Sequence, residues 1–291
     1  MDVAIFLQTI VNGLMMGGVY ALIAVGLTLI FGVMNVVNFA HGEFVMLGMV
    51  LTYLLHAFLG MDPGVSILLV IPVMLGVGAL VQKGLISRVI GQPDEAQILL
   101  TLGLSVLLIN LALLFLGPDY RSVKTGYKFS VWAAGPVLFS VPRLLAFVVA
   151  MAFSGILWLF LTRTDLGKGL RAVAEKPEVA TLMGINPKKM HALAFGIGIS
   201  LAAGAGSILS PFFYTFPSVG GMFVLTAFVV VVLGGMGNIP GAILGALAIG
   251  VTESLTSQYV ALDLAMLGVF IIFVLVLVFK PSGILGKGKV Y

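Results

Sequence analysis

Long apolar runs follow one another from end to end of the chain, parted by short stretches that hold Gly, Pro and most of the charges. Runs such as 98–116 and 262–279 reach the roughly 20 residues that cross a bilayer as a helix. Apolar runs and breakers together predict nine spans, near 5–33, 43–60, 64–82, 97–117, 143–162, 190–210, 222–236, 241–258 and 261–279, with eight to ten compatible with the pattern. The first run is long for one span and holds Gly13, Gly17 and Gly18, so one tilted helix and two shorter pieces both fit it. Small residues four apart, Gly196 with Ser200 and Gly204, and Gly241 with Gly245, mark helix faces that approach closely, because missing side-chain bulk lets backbones touch inside lipid. Packing alone accounts for them.

Composition makes the solvent explicit. With 291 residues, 60% of them hydrophobic and 9% charged, the chain has too few polar side chains to cover a water-soluble fold, and its mean hydropathy is +1.21. Backbone groups in lipid must bond to one another, which leaves helical bundles and closed barrels, and these runs are too long and continuous for barrel strands. The fold expected is all-α: a polytopic transmembrane helical bundle of about 8 to 10 spans with discontinuous helices, forming one domain over 1–291. The start of the chain lacks a basic patch and a small-residue cleavage site, so the first apolar segment is expected to be retained. With no cysteine, disulfides, thiolate metal sites and cysteine nucleophiles are excluded. His56 and His191 stand alone near span ends, which points to no metal site and no cofactor.

The formal charge of +4 concerns topology, since the basic residues sit between spans and suggest no nucleic-acid partner. Arg163, Lys168, Arg171, Lys176, Lys188 and Lys189 crowd one loop, which the positive-inside bias makes cytoplasmic. Lys83 and Arg88 fall on the same side, as do Lys280, Lys287 and Lys289 if four spans follow the basic loop. Arg121, Lys124, Lys128 and Arg143 oppose the rule by lying outside.

Ionisable groups at membrane depth cost roughly 3 kcal/mol or more unless they face protein or water, so they often mark a pathway. The run NVVNFAHGEF places Asn35, Asn38, His41 and Glu43 between the first two spans. Either it is an interfacial turn, or it is a buried break whose unwound backbone and amides offer partners to a solute. A second break, GGMGNIP, holds Gly234, Gly237 and Asn238, and both breaks set a Met and an Asn after a Gly. That likeness suggests two repeats whose discontinuous helices meet around a central path, so these seven residues are the candidate translocation path. Glu253 and Asp263 flank an outer turn with Gln258 and Tyr259 and are expected in solvent. The cluster Phe212, Phe213, Tyr214 and Phe216 is expected at the outer interface, as in aromatic belts.

The stretch TRTDLGKGLRAVAEKPEVATLMGINPKK is amphipathic and too short for a domain. Asp165 as N-cap predicts a helix to Glu175, and Pro177 suits the first turn of a second helix ending at Gly184. Leu166, Leu170, Val173, Val179 and Leu182 then need an apolar partner, either the lipid surface or another protein.

Within this stretch, GKGLRAVAEKPEVATLMGIN resembles the cytoplasmic coupling segment of the permeases of branched-chain amino acid ABC importers, the LivH/LivM type. Gly167, Arg171, Ala172, Ala174, Glu175, Ala180, Gly184 and Ile185 match that pattern. GGVYALIAVGLTLIFGVMNVVNFAHGEF, VVVVLGGMGNIPGAILGALAIGVTE and KPSGILG resemble the family's other signatures in the same order, so the likeness covers most of the chain. The resemblance implies a permease in the bacterial inner membrane whose segment 163–189 docks on an ATP-hydrolysing subunit. It also implies two ATP-binding ABC subunits, a second permease that is a paralogue or a copy, an extracytoplasmic solute-binding protein and membrane lipid as partners. ATP hydrolysis belongs on another chain, because no GxxxxGK[ST] phosphate loop occurs here, and the chain itself is then not an enzyme. A carrier coupled to ions through Glu43 and His41 is the competing class, and it has no need of a docking segment. No Ser/His or metal constellation supports an intramembrane enzyme. Branched-chain amino acids are the expected solutes, with other amino acids, amides, urea or small carboxylates as variants.

Overall fold

A computed structural model describes residues 3–286; Lys287 and Lys289, two of the tail's basic residues, lie outside them. In chain order the elements are α1 (Val3–Met34), α2 (His41–Leu59), α3 (Pro63–Gly84), α4 (Asp94–Leu116), β1 (Val131–Ala134), β2 (Val137–Ser140), α5 (Val141–Arg163), α6 (Asp165–Glu175), α7 (Pro177–Leu182), α8 (Pro187–Leu209), α9 (Gly220–Gly234), α10 (Ile239–Tyr259) and α11 (Ala265–Phe279). Among the described residues eight helical segments are long and apolar enough to cross a membrane. The ninth expected span is the 15-residue α9, which rises only about 22 Å, short of the roughly 30 Å hydrocarbon core, so the count stands at eight, within the expected eight to ten.

The ambiguous first run is one helix of 32 residues, about 48 Å long. From Gly17 to Ile30 every residue of α1 is buried, because the helix is apolar all round and threads the centre of the bundle against α5, α8, α9 and α10. At the rim the opposite holds. Leu114, Phe115 and Val278 on α4 and α11 are more than two-thirds exposed and form the face that a bilayer covers.

Close helix approach is achieved by missing side chains. A Cβ on Gly26 of α1 would stand 2.5 Å from the Gly198 carbonyl of α8, so these helices touch backbone to backbone. The expected stripes serve the same purpose: Gly196 and Gly204 face α3, and Gly241 and Gly245 face α9. Polar side chains add specific ties, as where Thr52 of α2 donates to Ser207 of α8 at 2.8 Å.

On the positive-inside bias the end carrying α6 and α7 is expected in the cytoplasm and the opposite end outside. Gln8, near the start of α1, exchanges two hydrogen bonds of 2.7 Å with the backbone of Leu138 in the β1–β2 hairpin, which places that terminus on the outer face. The four dissenting basic residues lie there too. Three of them are held by aromatic rings: Arg121 over Tyr53 at 5.4 Å, Lys128 over Tyr214 at 5.9 Å and Arg143 over Phe212 at 5.9 Å. The aromatic cluster is thus mainly a loop-to-loop clamp, with Tyr120 packed on Tyr214 and Phe216 at centroid distances of 6.3 and 4.7 Å, rather than a lipid belt.

In the 163–189 segment α6 spans the expected stretch, whereas α7 stops at Leu182, two residues before the expected Gly184, which lies in the turn that follows with φ +81°. The cap is one residue earlier than expected. Thr164 accepts from the Gly167 N–H at 3.0 Å, while Asp165 starts the helix and pairs with Lys168 at 2.9 Å, which holds its carboxyl below the usual range. Thr164→Ala is expected to remove about 1 kcal/mol from α6. Faster amide hydrogen exchange in Asp165–Arg171, with α8 unchanged, is the result to look for; unchanged exchange would show that packing alone holds the helix.

Candidate translocation and coupling sites

Asn35 turns the chain at the cytoplasmic end of α1, with φ +51°, a left-handed conformation that Asn tolerates better than most side chains. The chain then runs back into the bundle. The depth follows from one bond: His41, the first residue of α2, donates from Nε2 to the Ile23 carbonyl at 3.0 Å. Ile23 lies 11 residues before Met34, hence about 16 Å inside the end of α1. The break is therefore buried, and α2 begins near mid-membrane.

A second helix starts at the same depth. Gly220, the first residue of α9, packs on Gly42, and a Cβ at either position would run into the other's backbone. Two half-helices thus meet N-terminus to N-terminus, α2 running outward and α9 inward. Each brings the positive end of its dipole to the junction.

The polar side chains of the break gather here. Asn38, His41 and Glu43 are 2% exposed or less. Asn38 Oδ1 accepts from the Ala40 N–H at 3.2 Å, and Ser105 of α4 donates to Glu43 Oε1 at 3.2 Å. Asn38 Nδ2, His41 Nδ1 and Glu43 Oε2 find no partner among the described residues. Buried polar atoms are nearly always bonded, so three orphans in one junction call for a functional explanation.

Gly234, Gly237 and Asn238 are not part of this junction. They form the α9–α10 turn at the cytoplasmic end, about 21 Å along α9 from Gly220. Gly237 lies against Gly32 near the end of α1. Asn238 caps α10 by accepting from the Gly241 N–H at 2.9 Å and donates to the Leu285 carbonyl at 2.7 Å, so its amide serves the local fold. The discontinuity that pairs with the first break is instead the segment leading into Gly220.

What the turn does join is the α6 end of the 163–189 segment. A cavity of about 480 Å³ is lined by Thr28 and Gly32 of α1, Trp158 of α5, Arg171 and Glu175 of α6, and Asn238. Two groups of residues far apart in sequence share this one space. On α6, Gly167 abuts the backbone of Leu161, and Leu170 and Val173 are buried against the bundle. Ala180 of α7 is buried as well, and its carbonyl accepts from the Ile185 N–H at 3.0 Å.

Residues 9–279 match the model of the family described as branched-chain amino acid transport system / permease component. The chain belongs to that family. The permease is 34% identical to the high-affinity branched-chain amino acid transport system permease protein BraD of Pseudomonas aeruginosa, with 98% of this chain and 97% of the relative covered. It is 35% identical to the corresponding protein LivH of Escherichia coli over the same shares. LivM of Escherichia coli, also a branched-chain amino acid permease protein, is 31% identical over 43% of this chain and 29% of its own length. No solved structure matches it.

Several residues of the permease's sites were not singled out from sequence. Gly220 opens an apolar run with nothing beside it to signal depth, and Ser105 sits in a continuous apolar helix. The KPSGILG ending has a structural role: Ile284 donates to the Leu233 carbonyl at 2.7 Å and Leu285 to that of Gly234 at 3.3 Å, which closes the end of α9. Glu253 departs from its expected exposure. It is half-buried beside the Tyr20 hydroxyl, whereas Asp263 is exposed as expected.

Proposed function

We propose that the permease is the membrane-spanning subunit of an ABC importer in the bacterial inner membrane that moves branched-chain amino acids or similar small polar solutes. Its partners in this reading are two ATP-binding subunits, a second permease that is a copy or a paralogue, and an extracytoplasmic solute-binding protein. One observation carries it. Leu166, Val179, Leu182 and Met183 stay 51%, 50%, 87% and 78% exposed on α6, α7 and the turn that follows, while Leu170 and Val173 anchor α6 to the bundle. An apolar surface on a firmly rooted helix pair is the shape of a handle, gripped by another protein and rigid enough to pass motion on.

Closure of the ATPases around nucleotide would then bias two packings of the bundle, since a partner shifts an equilibrium only through its different affinity for the two states. The α6 cavity gives that bias a route, because Arg171 and Glu175 share it with the ends of α1 and α10. The half-helix junction supplies the path: its orphaned Asn38, His41 and Glu43 atoms and its two helix N-termini suit a polar solute crossing an apolar bundle.

Co-purification with mass spectrometry, together with ATPase activity stimulated by the cognate binding protein, tests this reading. Replacing Arg171 and Glu175 together with Ala is expected to weaken ATPase association about tenfold, with the purified permease still eluting as a folded particle. Unchanged association counts against the docking role. Uptake by the chain alone in liposomes would overturn the importer reading in favour of ion coupling through Glu43 and His41.

A further inference from the structure

The outer half of the bundle holds a cavity of about 410 Å³ between α1, α5, α10 and the start of α11, apart from the junction and the coupling segment. Two of its lining residues carry opposite charges. Glu253 lies on α10 six residues before its end at Tyr259, hence about 9 Å below the outer end of that helix. Arg143 lies in the first turn of α5, its guanidinium over the face of Phe212. The two do not pair: among the described residues the single ion pair is Lys168 with Asp165.

Opposite charges at membrane depth ordinarily close on each other, because an unpaired charge there is expensive. Here the cavity stands between them. Each charge sits on its own wall, Arg143 over Phe212 and Glu253 beside Tyr20. Asn12 and Ser257 add hydrogen-bonding groups, and Met16 and Leu262 supply an apolar flank. A guanidinium on one wall, a carboxylate on another and an aliphatic patch beside them complement a molecule with a carboxylate, an ammonium group and an aliphatic side chain. The volume falls within the range of small-molecule sites.

We propose that this cavity is a binding subsite for a zwitterionic aliphatic α-amino acid, with Arg143 taking its carboxylate and Glu253 its ammonium group. The subsite rests on the amino-acid solute of the preceding section and gives a place where that solute is held on the outer side of the junction. Tyr20 connects the two levels on α1. It borders Glu253 and stands one helical turn from Ile23, whose carbonyl holds His41. Arg143 on the outer face, contrary to the charge rule, thereby acquires a reason.

The test is equilibrium binding of radiolabelled L-leucine to the full chain in lipid nanodiscs. Two competitors are included: 3-methylbutylamine, which lacks the carboxylate, and 4-methylpentanoate, which lacks the ammonium group. Leucine is expected to bind saturably and at least about tenfold more tightly than either, as expected for a lost charged hydrogen-bonding partner. Glu253→Gln should weaken leucine about tenfold and erase its advantage over 4-methylpentanoate. Arg143→Gln should erase the advantage over 3-methylbutylamine. A merely structural role for either residue would weaken all three ligands alike and leave the preferences intact, which overturns the proposal. Leucine binding that is absent, or unmoved by both variants, does so too. If Glu253→Gln fails to fold, Leu262→Trp, which fills the cavity without changing charge, must weaken leucine about tenfold, and an unaffected affinity sinks the idea. ATPase stimulation by the binding protein is measured separately: stimulation without leucine binding removes this subsite alone, whereas failed stimulation with leucine binding removes the importer reading.

Discussion

Gly42→Ala is expected to destabilise the permease by roughly 3 kcal/mol and to depress its yield in the membrane, although it adds a single methyl group. That methyl would meet the Gly220 carbonyl and stand 2.9 Å from Cβ of Val224, and backbone cannot step aside as the tip of a flexible side chain can. The two half-helices would have to separate, and with them the junction that holds His41 and Glu43. Gly76→Ala on α3 is the matched control. Nothing lies within 4 Å of the methyl there, so the better helix propensity of Ala should leave stability unchanged or raise it by about 0.5–1 kcal/mol. Thermal unfolding of the two purified variants in the same nanodiscs reads the difference. Equal midpoints would show that the contact at the junction is looser than described.

Leu182→Asp combined with Met183→Asp should leave the bundle's melting temperature unchanged, since both side chains are more than three-quarters exposed and touch little of their own chain. Its effect falls on assembly. If these two residues fill a pocket on the ATPase, loss of either anchor costs about 2 kcal/mol, and the pair should lower the affinity at least about 30-fold, seen as ATPase subunits lost from the purified complex. Transport would fail with it. Retention of the ATPases at wild-type stoichiometry would mean that the exposed face meets lipid head groups instead.

The cytoplasmic helices show how far local signals reach. Pro177 acts within a few residues of itself, so the end of α6 and the start of α7 follow from the sequence, while α7 stops at Leu182, two residues short of Gly184. The cap falls on Thr164 instead of the expected Asp165, since both side chains can accept from a helix N–H and only the backbone decides between them. The structure settles it through Thr164, whose backbone is extended at φ −99° and ψ 156° while Asp165 is already helical. Glu253 was misread for a related reason. It lies near a turn in sequence, but its neighbour Tyr20 comes from α1, far from it along the chain.

The amino-acid order alone determines that this chain lives in lipid, forms helices and carries an amphipathic pair of short helices in its basic loop. Those properties depend on hydrophobicity, charge and caps, each summed over a few neighbouring residues. Tertiary structure alone decides the depth at which a helix begins. A Gly at the start of an apolar run reads the same at the surface as at mid-membrane; only the bond from His41 to Ile23 and the contact of Gly42 with Gly220 place two helix starts in the middle of the bundle. It also decides which residues share a space, bringing Arg143 to Glu253 and Arg171 to Asn238. Such meetings are set by the packing of helices distant in sequence, and no local pattern encodes them.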